Sequence, residues 1–277
     1  MRRETLLWAH FEPLHAVTYF VPETFAAFAE AGLDGFWRTY FAGRAAPLGA
    51  AGPEVVLATF YGFAPHMVRR AFPDVWQRIS PERALAARAQ GARAALRRMA
   101  PDADWAAIAG TLERAVDAAD LAGRVLGAAN AGLPRPDDDA ERAWLAATAL
   151  RELRGDGHVA ALVAYDLPPC DVNVLRAGDD VPREKSQPAR GWTDEEWAAA
   201  AGRLRERGLL DADGRLTPAG VTLRQDVERA TDAAAAGPWR SFSDGEVDAA
   251  CALLKPVTAA CLAEVPPQLP INVPRVA

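Results

Sequence analysis

Apolar residues recur at intervals of three and four along most of this chain, a spacing that predicts α-helices with one buried face. One such helix covers 102–122, where Trp105, Ile108 and Leu112 share a face. Another covers 140–154, with Trp144 and Leu150 on its apolar side. The spacing and the local start signals predict further helices over 22–31, 84–99, 158–166, 171–176, 194–207, 218–236 and 244–261. The pattern therefore predicts a mostly α protein.

One short stretch departs from helical spacing. Residues 209–217 are predicted to form two short strands around Asp213-Gly214, a dipeptide typical of tight hairpin turns. A Thr193–Glu196 capping box opens the helix before this hairpin, and Pro218 opens the helix after it. This order resembles the winged-helix domain of MarR-type regulators. The predicted fold is mostly α, with a helical N-terminal half packed on a MarR-like winged-helix C-terminal half that contributes one small β-hairpin.

The clearest candidate linker is Pro134-Arg135-Pro136 with the three aspartates after it. We therefore expect an aromatic-rich helical domain over 1–134, a winged-helix-like domain over 135–238, and a C-terminal helix with a proline-rich tail over 239–277. Within the second domain, Gly155 is predicted to end the helix over 140–154, and Asp156 to cap the helix that follows.

The charge of the chain changes the partners that we expect. Its 31 basic and 37 acidic residues give a net charge of −6, so it has no general attraction for nucleic-acid backbones or anionic membranes. The three cysteines show no paired spacing, which favours reduced thiols. The N-terminus is too polar for a signal peptide, and no apolar run is long enough to span a membrane. We expect a cytoplasmic protein with no membrane association.

The predicted winged helix carries charges that oppose DNA binding. The helix that would enter the major groove begins with Asp194-Glu195-Glu196, where such domains read base edges. Residues 191–236 hold six arginines, no lysine and nine acids, a net charge of −3. A domain that grips DNA needs several net phosphate contacts. DNA is therefore an unexpected partner, and a scaffold serving another purpose is the favoured interpretation.

Candidate chemistry concentrates in the segment 154–158, Arg-Gly-Asp-Gly-His. One interpretation is structural, with Gly155 and Asp156 as helix caps. In the other, the glycines let backbone approach a ligand and Arg154 pairs with its carboxylate or phosphate. Asp156 and His158 are then the candidate catalytic residues, as acid/base or hydrogen-bonding groups.

Arg44 is a second candidate for binding an anion, because it ends a helix rich in aromatic residues. Its guanidinium either makes an ordinary ion pair or is held among rings to receive a planar anion. Trp37 either joins the core or walls a pocket. His15 and Tyr19 would share one face if their segment is helical, and Asn130 either caps a helix or points into the same pocket.

Several established chemistries lack their sequence signatures. The four histidines show no HxH, HxxxH or HExxH spacing, so we expect no metal site. The chain also has no GxSxG, GxGxxG or GxxxxGK[ST] motif. We therefore expect no cofactor.

Six segments carry a more particular resemblance, namely 14–19, 36–49, 128–130, 150–160, 190–192 and 231–232. These segments resemble actinobacterial helix-turn-helix proteins of the SalK-like family, which are common near natural-product gene clusters. The resemblance adds Arg190 and Trp192 to the candidate ligand-binding residues. It implies a fold more than an activity.

These features predict a small-molecule-binding protein, or a cofactor-independent enzyme, of bacterial specialised (natural-product) metabolism, built on a winged helix that does not bind DNA. Its pocket would lie between the two halves, lined by Arg44, Arg154, His158 and aromatic residues. The ligand would be anionic or aromatic. The alternative is a MarR-like ligand-responsive regulator that binds DNA as a homodimer, and a third possibility is an inert partner of a biosynthetic protein.

Overall fold

The computed structural model describes residues 2–265, and most of them are helical. The helices of the N-terminal half are α1 (Arg3–Phe20), α2 (Pro22–Glu30), α3 (Phe36–Ala45), α4 (Pro53–Phe60), α5 (Pro65–Ala71), α6 (Asp74–Arg78), α7 (Pro81–Met99), α8 (Trp105–Asp117) and α9 (Val125–Ala131). They are followed by α10 (Asp139–Ala164), α11 (Pro169–Ala177), α12 (Arg183–Arg190), α13 (Asp194–Glu206), α14 (Pro218–Ala235) and α15 (Asp244–Glu264). The prediction of a mostly α protein is confirmed.

The long helix α10 is the element around which the others pack. It contacts α1, α7, α8, α9 and α14. Its N-terminus is capped by Asp138, whose carboxylate accepts the backbone N–H groups of Ala140 and Glu141. Trp144 and Leu162, near its two ends, are both buried. Because neighbours cover α10 from several directions, it has no continuous polar face.

The predicted break in this helix at 154–158 is wrong, since α10 continues without interruption from Asp139 to Ala164. Close packing explains one glycine of the segment. A Cβ at Gly157 would lie 2.8 Å from the Cβ of Ala234 and 2.5 Å from Nη1 of Arg124. The absence of a side chain therefore lets α14 approach α10 closely, and tertiary contacts override the local signal for a helix end.

The predicted winged helix is also wrong. Within residues 2–265 there is no β-strand, and Leu210 and Leu216 make only an isolated antiparallel bridge. The turn itself forms, with Gly214 at a φ of 80°. Its flanks are too short to extend the pairing, because α13 ends and α14 begins within a few residues, and a two-stranded ribbon is marginally stable without a third strand. Leu209 and Leu210 instead pack into a helical cluster.

Helix α1 was not predicted from the hydrophobic pattern. It lies against α7, α10 and α15, and its residues from Ala9 to Thr18 are buried, including Glu12 and His15. A helix enclosed on all sides has no amphipathic period. The polar residues Glu12 and His15 therefore belong to the interior of the protein.

Three hydrophobic clusters join the helices. The first surrounds Trp144 and includes residues of α1, α7, α8, α10 and α15. The second is aromatic and lies among α2 to α7. The third joins the C-terminal half of α10 to α11, α13 and α14. The first cluster contains residues from both sides of the predicted domain boundary at 134, so α10 shares a core with the N-terminal helices. The domain limits themselves stay predictions.

Several local predictions can be compared directly with the structure. The capping box at Thr193 and Glu196 is confirmed, and α15 begins with a second one at Ser243. The proline-rich tail over 266–274 lies outside the described residues. No helix among residues 2–265 has both the length and the apolar character needed to cross a bilayer.

The contact between α2 and α7 yields a stability prediction. A Cβ at Gly91 would lie 2.4 Å from the Cα of Thr24, so Gly91→Ala should force the two helices apart and cost about 1–3 kcal/mol of unfolding free energy. In α8, Gly110→Ala meets nothing within 4 Å and should stabilise its helix by up to about 1 kcal/mol. Urea unfolding of both variants measures the difference, and equal effects would contradict the packing argument.

Candidate ligand-binding site

Four charged side chains form a buried network where α1, α3 and α10 meet. Arg44 on α3 makes a bidentate pair with Glu152 on α10, with N–O distances of 2.9 and 3.1 Å. Arg151 donates to Glu152 at 2.8 Å and to Glu12 on α1 at 3.4 Å. Glu12 also accepts the indole N–H of Trp8 at 2.8 Å. We call these four charged residues the Glu152 network.

Arginines set the ionisation of this network. Burial by itself would raise the pKa of Glu152, but the guanidiniums of Arg151 and Arg44 hold that pKa well below its usual range. Arg44 also donates to the hydroxyl of Tyr40 at 3.2 Å. The nearby guanidiniums lower the pKa of Tyr40, although burial acts in the opposite direction. Glu152 is therefore ionised, and the same guanidiniums favour the ionised form of the Tyr40 hydroxyl.

A cavity of about 420 Å³, the central cavity, lies beside the Glu152 network. Residues of α1, α3, α4, α10, α11 and α14 line it. Its volume falls in the range typical of small-molecule sites. Six arginines contribute to its wall, namely Arg44, Arg151, Arg154, Arg176, Arg190 and Arg224.

A second cavity of about 340 Å³, the aromatic cavity, adjoins the first. Its wall is largely apolar and includes rings from α1, α3 and the loop after α4. The two cavities have Glu12, Tyr40, Arg151 and Arg190 in common. The aromatic wall consists of Tyr19, Phe20, Phe36, Trp37, Tyr40 and Phe63.

Arg190, the last residue of α12, differs from the other arginines between the cavities. Arg44, Arg151 and Arg154 each pair with carboxylates. Among residues 2–265, no carboxylate lies within ion-pair distance of the Arg190 guanidinium, whose Cζ lies 4.5 Å from the centroid of the Phe63 ring. Burial lowers the pKa of Arg190 to about 10, so the side chain still carries its charge at neutral pH.

His158 on α10 also lines the central cavity. Its Nδ1 lies 2.9 Å from Oγ1 of Thr231 on α14. Burial, assisted by Arg176 and Arg154, lowers the pKa of His158 to about 3. The imidazole is therefore neutral at ordinary pH. Such a pKa is poorly matched to general acid–base catalysis near neutrality, and it suits a hydrogen-bonding role.

The structure brings several of the predicted site residues together. Each of them lines one cavity or both, although they come from different helices. In the aromatic cavity they are Tyr19 and Trp37. In the central cavity they are Arg44, Arg154, His158 and Arg190.

Two of the predicted residues lie away from both cavities, in contacts between helices. The carboxylate of Asp156 accepts the backbone N–H of Gly127 at 2.8 Å, and burial raises its pKa to about 6. It is neither the helix cap that the sequence indicated nor a cavity residue. His15 lies in the interior, with Nδ1 at 3.0 Å from Oγ1 of Thr148.

Two further candidates also have structural contacts. Asn130 is buried inside α9, where it accepts from Arg88 at 2.9 Å and donates to the carbonyl of Leu126. The interpretation of Asn130 as a helix cap is therefore wrong. The indole N–H of Trp192 donates to the carbonyl of Gly62 at 3.2 Å, so Trp192 fixes a loop that lines the central cavity.

The hydrophobic pattern does not predict the acidic members of the Glu152 network. Glu12 lies in the N-terminal segment, whose sequence indicates only that it is too polar for a signal peptide, and Arg151 and Glu152 lie in the segment 150–160 that carries the resemblance. The signal was the presence of ionisable residues in segments whose neighbours are almost all apolar. Such charges are buried only when they are paired.

The arginines around α13 make contacts within the protein. Arg203 pairs with buried Asp171, while Arg205 and Arg207 donate to backbone carbonyls. The first turn of α13 remains acidic, with three consecutive carboxylates. In the described part of the chain, no group of three or more His, Cys, Asp or Glu is placed to hold a metal ion.

The fold and the cavities thus define an all-helical protein with an arginine-lined interior site. A sequence model with the description "Helix-turn-helix family" matches residues 4–267. The chain therefore belongs to this helix-turn-helix family. Comparisons with curated proteins and with solved structures give no match.

The Glu152 network yields the second stability prediction. Glu152→Gln leaves Arg44 and Arg151 buried beside a neutral amide, so we expect a loss of about 3–5 kcal/mol of unfolding free energy. The matched control is Glu54→Gln, which breaks a bidentate pair with Arg69 at 3.0 and 3.2 Å on the surface and should cost far less, because exposed ion pairs contribute little to stability. Chemical denaturation compares the two variants, and similar losses would show that the network does not stabilise the fold.

Proposed function

We propose that this protein binds a small anionic molecule with an aromatic or otherwise apolar body. The carrying observation is Arg190, a cation between two cavities with no carboxylate partner among residues 2–265. A partly buried charge without a counter-ion is unfavourable, and an anionic ligand would remove that cost. The guanidinium also offers paired donors that suit a carboxylate or a phosphate.

The aromatic cavity supports the apolar part of the proposal. Six aromatic residues line it, and the Tyr19 and Tyr40 rings lie with their centroids 4.8 Å apart. Because Arg190 and Tyr40 line both cavities, one molecule can place its anionic group at Arg190 and its apolar body among the rings. Such a site is mostly apolar with a few oriented polar groups, as in typical ligand pockets.

We place this binding in bacterial specialised metabolism, as a binding protein or a cofactor-independent enzyme. Support comes from the resemblance of segments 36–49, 150–160 and 190–192 to SalK-like proteins. Residues of all three segments line the cavities. The low pKa of His158 favours binding over acid–base catalysis.

The anion site gives a direct binding prediction. We expect the protein to bind 1-naphthoate, and Arg190→Gln to weaken that binding by about 10- to 100-fold, the value of a charged hydrogen bond. Arg83→Gln, a change at an exposed arginine of α7, is the control and should change nothing. Isothermal titration calorimetry with 1-naphthoate and the neutral 1-naphthamide measures the effect. Equal affinities in the two variants would refute an anion site at Arg190.

Membership of a helix-turn-helix family favours a second candidate, a DNA-binding regulator whose ligand occupies the cavities. The acidic first turn of α13 and the internal contacts of Arg203 and Arg207 oppose it. We expect fluorescence anisotropy with DNA from upstream of the gene to show no preference over a scrambled fragment. Specific binding that weakens steeply with salt would support the regulator instead.

A further inference from the structure

The tautomer of His158 follows from its neighbour on α14. The hydroxyl of Thr231 donates its single proton to the carbonyl of Val227, four residues earlier, at 2.8 Å. Its oxygen can then only accept, and the group 2.9 Å away is Nδ1 of His158. With the hydroxyl proton engaged in this way, Nδ1 carries the proton that joins the two side chains.

A neutral imidazole holds one ring proton, so Nε2 of His158 is left with a free lone pair. None of residues 2–265 donates a hydrogen bond to this atom. Nε2 is also not among the fully enclosed polar atoms, and His158 lines the central cavity. The cavity therefore presents a neutral acceptor in a wall that also contains six arginines.

His15 provides an internal comparison for this arrangement. Its Nδ1 lies 3.0 Å from Oγ1 of Thr148, and Thr148 donates to the carbonyl of Trp144 at 2.8 Å. The same reasoning puts its proton on Nδ1. In this case Nε2 is fully enclosed, and His15 lines neither cavity. Of the two histidines, only His158 can offer its lone pair to a bound molecule.

We propose that Nε2 of His158 accepts a hydrogen bond from a hydroxyl group of the ligand, which makes the ligand a hydroxylated aryl acid. This inference rests on the proposed function, since Arg190 receives the acid group; the hydroxyl-bearing end of the ligand then lies in the central cavity, which Arg190 and His158 both line. An ammonium donor is disfavoured, because it would bring a second positive charge into the cavity that Arg190 lines without a carboxylate partner among residues 2–265. A carbonyl or ether oxygen of a ligand at this place would be repelled by the lone pair on Nε2 of His158. The site therefore selects for a hydroxyl.

Nitrogen-15 NMR of the free protein tests the tautomer without any ligand. We expect the His158 signals to report a neutral ring protonated at Nδ1, with His158→Gln used for assignment. Thr231→Val removes the accepting oxygen while keeping the shape of the side chain, and should shift the ring toward the Nε2-protonated form. A proton on Nε2 in the unaltered protein would overturn the inference.

Binding of a matched set of probes tests the ligand class. In the unaltered protein, we expect at least one monohydroxy isomer of 1-naphthoate to bind about tenfold or more tighter than 1-naphthoate itself, the upper range for one neutral hydrogen bond. The affinity ratio of that isomer to the parent acid should fall to about one in His158→Phe. His158→Gln should keep part of the gain, since its amide oxygen can accept.

The outcomes separate the two proposals. If 1-naphthoate and all its hydroxy isomers fail to bind, or bind regardless of Arg190→Gln, the proposed function falls and this inference with it. If 1-naphthoate binds through Arg190 but no hydroxyl position improves its affinity, only the role of His158 is overturned. A gain that persists in His158→Phe has the same consequence, because the hydroxyl then contacts another group.

Discussion

The rest of the structure depends on the burial of Glu152 between Arg44 and Arg151. A carboxylate in the middle of a central helix stays ionised only if cations surround it, and it does so at the junction of α3 and α10. Arg151 in turn needs Glu12 from α1. Three helices are thereby required to meet with their charged groups together. Long arginine side chains do not fill the junction as apolar residues would, and the central cavity lies beside them.

The pairing inside this network also explains the selectivity that we propose. Carboxylates neutralise Arg44, Arg151 and Arg154, so those cations mainly hold the wall in place. An anionic group of a ligand can pair with the Arg190 guanidinium, and a ligand donor can hydrogen-bond to Nε2 of His158. One charged donor and one neutral acceptor define a ligand more narrowly than the total number of arginines does.

Local signals in the sequence predicted much of the helical fold. The Thr193–Glu196 capping box and the predicted helix start at 244 are both confirmed by the structure. What the sequence did not predict depends on neighbours distant in the chain. Helix α1 is enclosed and lacks an amphipathic period. The two predicted strands around Gly214 do not form because no third strand pairs with them among residues 2–265. The turn preference of Asp213-Gly214 does not indicate whether a third strand is present.

In the candidate site, a single segment shows both what local sequence predicts and what it does not predict. The residues of segment 154–158 predicted an unusual site, but the two glycines also predicted a break between two helices. In an uninterrupted helix, residues three or four apart lie on one face. Arg151, Arg154, Gly155, His158 and Leu162 follow that spacing, and all of them line the central cavity. A turn after Arg154 would have turned His158 away from Arg151. The continuity of α10, which the local signals argued against, is thus what assembles this wall of the site.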